Sequence, residues 1–225
     1  MIYKRKDTVT VYVLSPENNQ PSGGVKILYR HADVLNRCGI DAAVLHQQPG
    51  FRCNWFENNT RVQYLPDVRM TADDFLVIPE IYGPNIPALG QLPNVGRQTR
   101  KIIFNQNCRY TFLGQTLESV LQRDFALAYN NPEEFVGAMV VSEDSKAYLE
   151  YAFPGLPVWR VHNSINVGQF AFSADKKKQI CFMPRKNPED ALQVIGVLKL
   201  RGALNDFDVV AIQHTNEAGV AHIMQ

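Results

Sequence analysis

A β-branched stretch, Thr8–Leu14 (TVTVYVL), runs into a polar loop, SPENNQPSGG, and the loop opens a helical pattern. Val25, Ile27, Leu28, Ala32, Leu35 and Cys38 recur at helical spacing, Gly39 ends the pattern, and Ile40–Leu45 (IDAAVL) has the composition of a second strand. Strand, glycine loop, helix and strand in this order constrain the chain toward a parallel α/β sheet. The loop then lies at the carboxyl end of the first strand, where open sheets of this kind place their ligands. Gly23 and Gly24 at the helix start leave backbone N–H groups uncovered and facing any arriving anion. The first reading is therefore a nucleotide- or phosphate-handling protein. A plain strand-to-helix turn using the freedom of glycine explains the pair equally well.

The later segments repeat the alternation. After a polar, aromatic-bearing excursion (His46–Arg61), Val62–Leu65, Phe75–Glu80, Lys101–Asn107, Ala138–Val141 and Leu156–Ile165 read as strands or strand-bearing segments. Several are continuous apolar runs, which fits a sheet buried on both faces. Leu113–Arg123 and Ser142–Tyr151 read as helices, the second with Ser142 or Asp144 at its cap. Between Ile81 and Arg100, three prolines and three glycines allow only short, interrupted helix. The pattern then resets. A polar connector (166–178) leads to a strand at Gln179–Pro184, a helix entered at Pro188 and closed by Gly202, a strand at Phe207–Ile212 and a further helix from Glu217. The expected organisation is a domain over 1–165, a linker over 166–178 and a second, incomplete Rossmann-like unit over 179–225. A second unit of this size is marginal on its own, and its apolar helical ending without a cap suggests truncation.

The 225 residues are 45% apolar with a net charge of +1, so no whole-chain field favours nucleic acid, and none is expected as a partner. Lys176–Lys178 reads as a solvated run. The four cysteines show no metal-ligand spacing; Cys38 and Cys181 fall in apolar patterns and are expected to be buried thiols. No secretory leader is seen in MIYKRKD and no run approaches a membrane span, so a reducing, cytoplasmic setting is expected. The G-x-G-x-x-G of dinucleotide enzymes is missing after the first strand, which ranks a dehydrogenase low.

The order of these pieces resembles the retaining GT-B glycosyltransferases, the superfamily with sucrose synthase-like and mannosyltransferase-like members, over the N-terminal half of such an enzyme. PSGGVKILYRHADVLNRCGIDAAVL is similar to the family's opening. VSEDSKAYLEYAF (Val141–Phe153) resembles its late serine-bearing segment. VHNSINVGQFAF (Val161–Phe172) is similar to the Pro-Asn-Gly-Val-Asp crossover, with Asn163 on the asparagine. ICFMPRKNPEDALQVI (Ile180–Ile195) resembles the first donor-domain strand and helix. The family's Gly-Arg reads Pro184-Arg185 here, and Lys186 is the candidate for its downstream lysine. The family's donor-gripping glutamate pair has no counterpart in this chain, and its acceptor-domain histidine is replaced by Asn105, Gln106 and Asn107.

The resemblance implies a GT-B fold: a Rossmann-like parallel sheet with helices on both faces, followed by the start of a donor domain. It implies metal-independent sugar transfer from a nucleotide sugar, a substrate rather than a cofactor, to a hydroxyl of a glycan, lipid or small molecule. Peripheral membrane association stays open, and the oligomeric state is not read. Little transfer is expected from the chain alone. In such chemistry the leaving diphosphate needs positive groups aimed at it. Gly23, Gly24, Arg185 and Lys186 are the candidates, meeting across an interdomain cleft. Glu80, Tyr82, Asn105, Gln106, Asn107, Arg109, His162 and Asn163 are the candidates for the acceptor side. Turn chemistry explains the asparagines as well, and a proline turn explains the Pro79 corner. Trp55, Phe51 and Phe56 suit either a sugar face or core packing, and His31 is expected at the surface. The alternative function is a non-catalytic nucleotide- or glycan-binding module.

Overall fold

The computed structural model describes residues 9–83, 95–96, 98–123, 125, 127–163 and 165–225. The expected interrupted helix between Ile81 and Arg100 falls largely outside them. The chain divides into two compact units, Met1–Asn163 and Ser164–Gln225.

The first unit is built on a seven-stranded sheet, every neighbouring pair parallel. Its strands are β1 (Thr10–Leu14), β2 (Asp41–His46), β3 (Val62–Tyr64), β4 (Phe75–Pro79), β5 (Arg100–Asn105), β6 (Phe135–Val140) and β7 (Val158–Arg160). Their order is β3-β2-β1-β4-β5-β6-β7. The sheet grows one way from β1 to β3 and the other way from β4 to β7. The reversal between β1 and β4 is the topological switch point of a doubly wound sheet, with a crevice beyond the carboxyl ends of the two strands.

Burial on both faces explains the apolar runs. Val13, Val44, Val77 and Phe104 point to one face, where Val25, Leu28, Tyr29 and Ala32 of α1 (Gly23–Arg37) cover them. Leu14, Leu45, Ile78 and Ile103 point to the other, where Leu149 of α3 (Glu143–Ala152), Tyr129 and Phe153 join the core. The two-residue period of a strand sorts consecutive side chains to opposite sides. Ser142 caps α3, its hydroxyl accepting from the Ser145 amide at 3.0 Å.

At the β5–β6 junction the register slips, so that Ile102 pairs with Gly137 and Val136 is left over as a bulge. A Cβ on Gly137 would lie 2.6 Å from the Pro157 carbonyl oxygen and 2.4 Å from the Trp159 ring. Glycine is the residue that lets β7 approach this closely.

The second unit pairs β8 (Gln179–Phe182) with β9 (Asp208–Ala211) in parallel, with α4 (Pro188–Leu200) and α5 (Glu217–Met224) following the two strands. Pro188 stands in the first turn of α4, where its missing N–H costs nothing. No helix or strand occurs among the described residues from 165 to 178.

Several expectations are corrected. The helix expected over Leu113–Arg123 shrinks to one four-residue turn, α2 (Leu117–Val120), opened by a capping box between Thr116 and Ser119. Gly114 before it takes a left-handed φ of 82°, and Leu117 and Leu121 are exposed, so no packing holds a longer helix. Cys38 is exposed and Cys181 half-buried; Cys38 caps the end of α1, where the chain turns outward at Gly39. His31 is half-buried, its ring 4.6 Å from Phe104. That contact puts it on the core side of α1, and burial lowers its pKa.

Candidate functional site

The switch point gathers three chain segments. The first is the loop from Ser15 to Ser22 and the start of α1. Ser22 enters the helix without a side-chain cap, and no acidic residue lies in the first turn. The amides at this end, and the positive end of the helix dipole, are left for another partner. A Cβ on Gly23 would meet nothing within 4 Å, so open space lies beside this residue. Neither Gly23 nor Gly24 has a positive φ. Their smallness, not a special backbone conformation, is what they contribute.

The loop is held from outside by the segment following β2. The Gln48 amide donates to Glu17 Oε1 at 2.5 Å, the Asn54 amide to Asn19 Oδ1 at 2.9 Å, and the Cys53 thiol lies 3.6 Å from the Asn18 carbonyl. Behind them the Cys53 amide donates to the Tyr29 hydroxyl, which lies 2.7 Å from Nε2 of the fully buried His46. Trp55 and Phe56 pack together, Phe56 edge-on to Tyr29 and Phe51 edge-on to His46. The aromatics of this excursion serve packing of the α1 face.

The second segment follows β4. Glu80 opens a single 3-10 turn, Glu80–Tyr82, that ends at Gly83 with φ 67° and ψ −170°, a region for glycine. Glu80 is 5% exposed, and its Oε2 has no hydrogen-bond partner. Burial raises its pKa to about 7, against the opposing pull of the Gln106 and Asn107 backbone amides. Tyr82 is half-buried, and burial raises its pKa too, with Glu17 adding to the rise.

The third segment follows β5, and strand alternation divides it. Gln106 turns to the α1 face, where its Nε2 donates to the Gly24 carbonyl at 3.3 Å. Asn105 turns to the opposite face. Its Nδ2 donates to Thr111 Oγ1 at 3.1 Å and to the Tyr129 hydroxyl at 2.8 Å, and its buried Oδ1 is unpartnered. Pro79 pairs with Phe104, so Glu80 and Asn105 are next in register on adjacent strands. Glu80 acts electrostatically on both Tyr129 and Cys108, which places it with that group. Asn107 spends its side chain on a cap, accepting from the Arg109 amide at 3.1 Å, and the Arg109 side chain is exposed.

The structure thus forms two groups at this edge of the sheet, Gly24 with Gln106 on the α1 face and Glu80 with Asn105, Thr111 and Tyr129 on the other, the Gln106 and Asn107 backbone reaching Glu80. His162 and Asn163 are exposed after β7. Three strand spacings separate β7 from β4, about 14 Å, so these two residues lie off the switch point. Arg185 and Lys186 belong to the second unit, where they are exposed in the turn between β8 and α4. That turn is shaped by Asn187 with a left-handed φ of 47°. Sequence reasoning missed Tyr129 and Thr111, which complete the buried group behind Asn105. Tyr129 lies in a stretch of asparagines and proline with no periodicity to mark it.

Among the described residues no cluster of histidine, cysteine or acidic side chains could hold a metal ion. Two buried oxygens have no hydrogen-bond partner: Asn105 Oδ1, an acceptor, and Glu80 Oε2, which accepts when the carboxyl is ionised and can donate when it is protonated. The chain matches no protein-family model, and no curated protein matches it.

Proposed function

We propose that this chain is the acceptor-side domain of a nucleotide-sugar-dependent glycosyltransferase of GT-B type, together with the opening part of its donor domain. The observation that supports the reading is the polar edge at the switch point of a doubly wound sheet, where Gln106 meets the Gly24 carbonyl on one face and Glu80 lies beside Asn105 on the other. The amides at the start of α1 suit a diphosphate. The unpartnered oxygens at Glu80 and Asn105 suit sugar hydroxyls. Arg185 and Lys186, exposed at the carboxyl end of β8, are the basic side chains that the second unit offers to an anion. Transfer proceeds without a metal ion, to a hydroxyl of a glycan, a lipid or a small molecule.

Calorimetric titration with UDP-, GDP- and ADP-hexoses and with alkyl glycosides tests this. The reading expects saturable binding of at least one nucleotide sugar and one glycoside. Gly23→Val should abolish nucleotide-sugar binding and weaken glycoside binding at an unchanged melting temperature, because its side chain enters open space rather than protein. No binding, or binding untouched by the variant, overturns the reading. Binding of glycosides with no nucleotide sugar bound would fit the glycan-binding module instead.

A further inference from the structure

A cavity of about 520 Å³ opens on the α3 face of the first unit. Its walls include Phe112, Phe125, Tyr129, Phe135, Ala152 and Phe153, and among the described residues no charged side chain lines it. The volume falls within the usual range for small-molecule sites, and so does the character of the walls: mainly apolar with a few polar groups. Phe112 and Phe125 stand on its wall, and Leu113, Leu117, Val120 and Leu121, which lie between them in sequence, are exposed.

Tyr129 joins this cavity to the switch point. Its ring is one wall, stacked on Phe153 at 5.0 Å. Its hydroxyl accepts from Asn105 at 2.8 Å, within the buried group that includes Glu80. One side chain therefore separates an apolar chamber from a polar site with two unpartnered oxygens.

We infer that the cavity takes the apolar chain of an amphipathic acceptor whose hydroxyl-bearing head lies in the switch-point crevice. The head assignment rests on the proposed function; the chain assignment rests on the cavity and its apolar walls. An acceptor without a chain would leave the chamber empty, and a chain without a head would leave Glu80 and Asn105 unmet.

The test is a calorimetric series of alkyl β-glucosides from hexyl to decyl, below micelle formation, beside alkanols of matched length. Burial of each methylene at about 0.8 kcal/mol predicts an affinity rising about fourfold per carbon. Glucosides should bind at least tenfold tighter than the matching alkanols, and Gly23→Val should remove that advantage while leaving the chain-length slope. Ala152→Trp, which fills the chamber, should flatten the slope. Phe112→Ser, on the half-exposed wall, should weaken it if the tryptophan variant does not fold. No dependence on chain length, or a slope unchanged in the folded variants, overturns the inference. Equal binding of glucosides and alkanols overturns it too, since the chamber would then serve a ligand unconnected with the crevice. Nucleotide-sugar binding is measured separately, so its absence counts against the proposed function and leaves the chain result to be judged on its own.

Discussion

Glu80 is the residue on which the electrostatics of the site turn. Its carboxyl is held near pH 7 by burial, against 4.5 for the ordinary group. The folded chain therefore keeps a proton that the unfolded chain has released between these values. Stability from this group is complete below about pH 4.5 and is lost as pH rises through 7, a change of about 3 kcal/mol. Glu80→Gln removes the titration and keeps a polar side chain. Urea unfolding at pH 5 and pH 8 should show the wild type losing about 2.5 kcal/mol more than the variant over that interval. Parallel losses would mean that the carboxyl is not held in its neutral form. Gln106 and Asn105 make a second point at this scale. Adjacent in sequence and alike in chemistry, they are sent to opposite faces by strand alternation, one to the α1 backbone and the other to Tyr129. The sequence marked the whole polar exit of the strand as a candidate. What it left out was which neighbour each side chain meets, because Tyr129 and Gly24 come from segments 24 and 82 residues away.

Among the elements, those with strong period and clear punctuation were legible. The first helix, entered at the glycine pair and closed at Gly39, and the later helix entered at Pro188 stand where spacing and caps put them. The apolar runs became strands because each face had a helix to bury against. α2 failed as a long helix because its apolar residues find no core; periodicity records amphipathicity without recording a surface to receive it. The bulge at Val136 was not legible either, since it depends on the approach of Trp159 and Pro157. Gly137→Ala tests this directly. The Pro157 carbonyl is backbone and cannot swing aside, so β7 must shift. The expected loss is about 2 kcal/mol or more, read as a lowered urea midpoint. An unchanged midpoint would show that the β6–β7 junction has slack that the close approach denies.

At the scale of the molecule, the switch point follows from topology alone. Once β1 and β4 are neighbours with the chain winding outward on either side, their carboxyl ends diverge and a crevice forms. The glycine loop and the polar exits of β4 and β5 were placed on that edge by strand order, which the sequence implied through its alternation of strand and helix. The chamber beside Tyr129 had no signature in the sequence, since its walls come from the segment before β6, the end of α3 and the turn after β5. The chain divides into the units Met1–Asn163 and Ser164–Gln225, and each has its own strands and helices. The central claim is that ligand meets the first unit at the switch point. Amide hydrogen exchange of the 225-residue chain, with and without the tightest-binding nucleotide sugar or alkyl glucoside, measures it most directly. The account predicts added protection at residues 22–26, 80–83 and 105–107 together. Protection confined to other segments, with these three unchanged at saturation, would contradict it.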